Sequence, residues 1–370
     1  MFNKALWKKD YKQAKFILWS IWVLLFFGMP IQAAIRLQGL TELIKEQKEN
    51  DSSYVLYTDY FYHSILNFTS IYNVLLFMIF VLASTLIGAE RGNKTNDFTF
   101  SLPFSRKEVF LSKWIIGFTF IVTSFVLSFI LSQAFIYFSA YREYLNIEWS
   151  FVYFIYPFLS FIALYTLALF FGTITGGFIY QVALAFIFFI FPLGIPVLMF
   201  RLFENIFRLD MYELYYSRTI FNITDVLYLG HYYDISAAKR VFFHILQDAG
   251  GVQADLYSYQ SYDYLFSYHY LLFPVLLTLT LLPISIFLYQ RNKVENNGMF
   301  LIFPQLNKFF MFGIVFCFAL FGGLIGETFV SNRLEQFRMI NYFCGFIGFG
   351  VISYFFTKKL YKLNLKISSR

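Results

Sequence analysis

The apolar residues of this chain fall into separate blocks of about twenty, the length at which a helix spans roughly 30 Å of hydrocarbon. The blocks run over approximately 16–35, 65–89, 110–138, 151–172, 178–200, 268–289, 308–326 and 339–357. Soluble domains carry roughly 25% charged residues, whereas this 370-residue chain carries 14%, with 59% hydrophobic residues. It lacks the polar surface a water-soluble fold needs. The pattern predicts an all-α polytopic membrane protein with about eight transmembrane helices. Glycine–threonine residues 172–177 separate the fourth and fifth blocks, because one helix across both would be far too long for a bilayer. Pro192 and Pro196 predict a kink or break in the fifth.

Charge orients the chain. Lys4, Lys8, Lys9, Lys12 and Lys15 precede the first block, and Arg91, Lys94, Arg106, Lys107 and Lys113 lie between the second and third. Arg291 and Lys293 follow the sixth, Lys308 precedes the seventh, and Lys358, Lys359, Lys362, Lys366 and Arg370 follow the eighth. An even number of spans puts all of these on one side, which is therefore the cytoplasm, with both termini on it. The opposite loops hold Glu42, Glu46, Glu49, Asp51 and Asp59, then Asp210, Glu213, Asp225 and Asp234. The net charge of +7 sits beside the apolar blocks, which favours membrane lipid over nucleic acid as its counterpart. Residues 1–15 read as an amphipathic interfacial helix, with Lys4, Lys8, Lys12 and Lys15 on one face and Phe2, Leu6, Trp7 and Tyr11 largely off it. An ordinary basic flank of the first span is the simpler alternative.

Cys317 and Cys344 lie inside apolar blocks and form no CxxC pair, and the four histidines do not cluster at metal-ligand spacing. No metal site is expected. The extracellular segment 204–266 contains ten tyrosines, among them Tyr212, Tyr228, Tyr257 and Tyr264. These suit headgroup level, with a ligand entrance as the alternative.

The loop 90–113 is the most informative stretch. Pro103 ends any preceding helix. Ser105 and Glu108 stand at capping-box spacing, so a new helix starts at Ser105 and runs into the third span. Thr95 to Leu102 is long enough for about two helical turns. Such a helix, offering Phe98, Phe100 and Leu102, can dock into a groove on a soluble partner. A plain positive-inside loop fits the composition equally well.

This stretch resembles the signature region of ABC-2-type transporter permeases, in which an acidic residue ends the second span. A short coupling helix follows it, then a Leu-Pro-x-Ser-Arg turn and a lysine at the third span. Glu90, Leu102-Pro103-Phe104-Ser105-Arg106 and Lys113 match these positions. Asn93 and Lys94 intervene between Gly92 and Thr95, a departure that moves the coupling helix later. The resemblance implies an ATPase-subunit interface of Glu90, Lys94, Thr95, Phe98, Phe100, Leu102, Pro103, Ser105, Arg106, Lys107 and Lys113. It covers roughly residues 1–290, with 16–290 as a six-helix core. Tyr289-Gln290-Arg291-Asn292-Lys293-Val294-Glu295-Asn296-Asn297-Gly298 is similar to a Tyr-x-Arg-x-x-Glu-x-x-Gly stretch of a Gram-positive subgroup. That subgroup carries two further C-terminal helices, here 291–370 with a basic tail, and is linked to antibiotic or cell-envelope stress responses.

The resemblance further implies a subunit of an ABC exporter in the bacterial plasma membrane. Two ABC ATPase subunits and a second permease chain, a copy or a paralogue, would complete it. The chain contains no GxxxxGK[ST], so no ATP-phosphate cradle is expected here. ATP and Mg belong to the partner ATPase, and this chain is read as neither an enzyme nor a cofactor binder. The central parts of the spans almost lack ionisable residues, which suits a hydrophobic, peptide or lipid-like substrate better than an ion-coupled carrier. The alternatives are a non-transporting scaffold or sensor that holds an ATPase, and a membrane-embedded enzyme, for which no convergent catalytic set is visible.

Overall fold

In a computed structural model, residues 4–50, 61, 65–66, 69–93, 95–145, 147–207, 229, 268–292, 294–328 and 335–368 are described. The tyrosines expected in the external segment, and Lys94, lie outside these residues. The helices in chain order are α1 (Lys4–Phe26), α2 (Gln32–Asn50), α3 (Thr69–Leu86), α4 (Gly88–Gly92), α5 (Asn96–Ser101) and α6 (Arg106–Tyr137). They continue with α7 (Ile147–Ile174), α8 (Phe178–Phe207), α9 (Tyr268–Gln290), α10 (Gln305–Thr328) and α11 (Glu335–Ser368). Among the described residues the strand-like pairing is one isolated antiparallel bridge, Thr175 to Leu301. Among the described residues, seven helical stretches are long and apolar enough to cross a membrane, and Ile71–Leu86 is a shorter apolar helix at the second block. The chain is an all-α polytopic membrane protein.

The surface helix expected over 1–15 is not a separate element in the described residues. α1 runs from Lys4 into the first apolar block without a break. Leu6, Asp10, Ala14, Leu18, Ile21 and Leu25 are buried at three- and four-residue spacing, a single stripe that continues across Lys15. Nothing at Lys15 or Phe16 interrupts the backbone ladder, so the lysines ride on the exposed side of a longer helix. The interruption comes at Pro30, inside a π-helical turn, Phe27–Ile31, between α1 and α2. Proline has no N–H to give the turn before it, and a widened turn accommodates the loss. α8, in contrast, runs unbroken across Pro192 and Pro196. Membrane helices tolerate such prolines where neighbouring groups re-satisfy the freed backbone.

The chain divides into two compact units that alternate along the sequence. The first comprises Met1–Leu86, Phe104–Phe170 and Leu229–Gln290. In it α6 is the hub, packed by α1, α2, α3 and α9. Phe125 gathers Phe154, Phe158 and Phe161 around it, and Tyr72 lies against Phe161 with centroids 4.8 Å apart. Edge-on and tilted aromatic pairs of this kind stabilise a core beyond their buried area. Hydroxyls of Thr119, Ser132 and Thr166 donate to the carbonyl one turn earlier, so each polar group is satisfied within its own helix.

The second unit comprises Ile87–Pro103, Phe171–Tyr228 and Arg291–Arg370. α10 and α11 form a close antiparallel pair, and α8 packs against both. The pair is close because glycines face each other: a Cβ on Gly345 would run into the Gly322 backbone, and one on Gly326 into that of Asn341. At the far end of the pair Arg338 binds Glu327 and, at 3.5 Å, Glu204, which also takes Arg201 at 2.9 Å. Gly345→Val is expected to destabilise the protein by about 1–3 kcal/mol through overpacking, read as a lower unfolding midpoint in mild detergent. Gly348→Val, at a position where an added Cβ meets nothing within 4 Å, tests the same chemistry without the contact and should leave the midpoint close to wild type.

Candidate functional site

The loop expected to carry function is distributed over both units, and each part has its own anchoring. In the second unit, α4 holds Glu90 and Arg91, both buried. Arg91 Nη1 donates to the Thr175 carbonyl at 2.7 Å and to the Gly172 carbonyl. These carbonyls lie in the last turn of α7 and at the residue just after it, where the helix supplies no backbone N–H to take them. A guanidinium there satisfies them and sits favourably at the negative end of the helix dipole.

α5 follows. The Thr95 hydroxyl donates to the Glu90 carbonyl at 3.2 Å, and the Thr99 hydroxyl to the Thr95 carbonyl at 3.3 Å. Thr99 is buried and Phe98 is 69% exposed. The short helix is thus seated on one side and presents a ring on the other. Leu102 is extended, with ψ 153°, as the residue before a proline must be, and this ends α5. Phe100 and Leu102 are half-buried, whereas Thr95 and Pro103 are exposed.

In the first unit, α6 opens with the full capping box. Glu108 N donates to Ser105 Oγ at 3.2 Å, and Ser105 N donates to Glu108 Oε2 at 2.9 Å. Arg106 Nη1 donates to the Gln290 carbonyl at 3.0 Å, closing the last turn of α9 as Arg91 closes α7. The Phe110 and Tyr289 rings, from the same two helices, meet at a tilt of 50° with centroids 5.4 Å apart. Lys107 is exposed.

Lys113 requires a correction. It was expected at a partner interface, and its side chain is 0% exposed. Nζ lies 3.3 Å from Asp10 Oδ1 and donates to the Leu86 carbonyl at 2.5 Å. Asp10, 1% exposed, also accepts from Ser112 Oγ at 2.7 Å. Tyr165 Oη donates to the Lys113 carbonyl at 2.6 Å, and a Cβ on Gly117 would overlap the Tyr165 ring. Lys113 therefore joins α1, α3 and α6 from within. Glu90 is likewise buried, so both act inside the fold instead of offering surface. The sequence reading passed over Asp10. Its signal was available: it is the single acid among the lysines of residues 4–15, and it falls in register with Leu6 and Ala14.

Residues 7–192 match the family described as ABC-2 family transporter protein. The chain belongs to the ABC-2 transporter family. It is therefore a transmembrane subunit of an ABC transporter, a multi-pass protein of the bacterial plasma membrane, and it associates with an ABC ATPase subunit. The matched stretch ends within α8, short of the 1–290 expected from the resemblance. No curated protein and no solved structure matches the chain.

A buried pair that loses one partner leaves an uncompensated charge, which costs about 3–5 kcal/mol. Asp10→Asn or Lys113→Met alone should lower chemical stability by that order in detergent unfolding. The double variant Asp10→Leu/Lys113→Met should recover most of the loss. If the double variant is as unstable as the singles, the ion pair is not the cause.

Proposed function

We propose that the chain is the membrane half of an ATP-driven exporter, and that α5 is the helix on which the ATPase docks. The observation that carries this reading is the presentation of α5. Thr99 is buried beneath it and Thr95 is bonded to Glu90, while Phe98 stands 69% exposed. An exposed aromatic on a rigid seat suits a groove on a soluble partner, because little side-chain freedom is lost on docking. Thr95, Phe100, Leu102 and Pro103 frame it. Ser105 and Arg106 are held by bonds within their own unit, so we assign them to positioning α6 and leave Lys107 as the charged neighbour free for a partner.

ATP and Mg would be bound and turned over by the ATPase, with no catalytic step in this chain. Two ATPases and two permease chains would make the working unit. Closure of the ATPases would displace the docking helices and shift the membrane halves between two states that bind substrate differently. A hydrophobic, peptide or lipid-like substrate is the reading we favour. In support, charged groups at span ends are taken up in ion pairs, Asp10 with Lys113 and Arg338 with Glu327 and Glu204.

Phe98→Asp should reduce recovery of the ATPase in an affinity pull-down roughly thirtyfold, the effect of losing a hot-spot contact of about 2 kcal/mol. Phe312→Ala, which alters an equally exposed ring on α10, should leave recovery unchanged. Wild-type recovery with Phe98→Asp would remove α5 as the docking element.

A further inference from the structure

The stretch between α9 and α10 is built as a specific structure. Val294–Asn296 forms one 3-10 turn, and Gly298 takes φ +87°, in the left-handed region that a side chain makes costly. The chain then runs against the turn that joins α7 to α8. Gly298 N donates to the Gly176 carbonyl at 2.8 Å, Gly176 N to the Met299 carbonyl at 3.0 Å, and Ile302 N to the Ile174 carbonyl at 2.8 Å. Asn296 Nδ2 donates to the Ile302 carbonyl at 2.7 Å and closes the stretch on itself. Leu301 and Ile302 are buried, and the Tyr180 ring meets Phe300 edge-on at 5.3 Å. A Cβ on Gly176 would collide with the Met299 backbone, so the approach depends on glycine at that position.

The same α7–α8 turn is held from another direction by Arg91, through the Gly172 and Thr175 carbonyls. Arg91 is the neighbour of Glu90, whose carbonyl accepts from Thr95 at the start of α5. All of these residues belong to one compact unit. A continuous path of bonds thus runs from α5 through α4 and the α7–α8 turn to the segment that leads into α10. Side-chain bonds from Arg91 and backbone bonds from residues 298–302 on this one turn leave it little freedom to move without its neighbours.

The geometry points to a clasp: residues 294–302, with Arg91, Gly176 and Gly298 as positioning residues, make the C-terminal helical pair α10–α11 move with the docking helix α5. This rests on the docking reading above. It assigns a role to the Tyr-x-Arg-x-x-Glu-x-x-Gly stretch. Its glycine supplies the positive φ from which the chain turns back along Gly176, and its tyrosine, Tyr289, packs on Phe110 from the last turn of α9. The C-terminal pair is then a driven part of the transporter, carried by the same event that moves α5.

The test is amide hydrogen exchange on the full chain in lipid nanodiscs, read over 172–178 and 294–303. It is run without the ATPase, with it, and with it plus ATP and vanadate. In the wild-type chain both peptides should exchange slowly and become slower on ATPase addition. Arg91→Gln should speed exchange in both by about tenfold, as expected when one hydrogen bond's worth of local stability is lost. It should also abolish the response to ATPase while the ATPase is still captured through α5. Gly298→Val, which leaves Arg91 intact, should do the same for 294–303. Gly298→Asn, compatible with positive φ, should behave as wild type. Capture of the ATPase with no change at 294–303 in the wild-type chain would overturn the clasp and leave docking through α5 standing. Absence of capture by the wild-type chain would remove the docking reading and the clasp with it.

Discussion

A helix leaves the N–H groups of its first turn and the carbonyls of its last turn without partners of its own, so each helix end needs partners from elsewhere. This constraint organises the molecule. The α6 start is closed by Ser105 and Glu108, the α7 end by Arg91, and the α9 end by Arg106. The α7–α8 turn, too short to close itself, borrows partners from residues 298–302. Basic residues in these loops serve as caps as well as orientation signals.

The long apolar blocks were legible because length and hydropathy alone set them, and the observed helices fall where those blocks lie. The turn chemistry was legible as well: Pro103 and the Ser105–Glu108 spacing marked the end of α5 and the start of α6. Other features depend on contacts distant in sequence. Lys113 reads as a surface lysine until Asp10, 103 positions away, is brought beside it. The join at Lys15 was invisible to composition, since a lysine face and a buried stripe occupy one helix without conflict. Arg91 looks like any basic loop residue until the carbonyls of Gly172 and Thr175 are placed against it.

The site divides into what is presented and what is tied down. Phe98 is presented, on a helix whose opposite side is buried through Thr99. Glu90 and Arg91 are buried in the second unit, and Arg106 and Lys113 are tied down within the first. A rigid base under a small exposed contact is what a subunit driven by a partner's motion requires, because a soft base would absorb the displacement. Membership of the ABC-2 transporter family places the energy source in an ATPase subunit.

The central claim is that α5 touches the ATPase. A photo-activated cross-linking amino acid at position 98, in membranes containing the ATPase, tests it directly. The account predicts a covalent adduct with the ATPase from position 98 and none from position 312 on α10. An adduct of equal yield from both positions, or none from position 98 while the two proteins copurify, would contradict it.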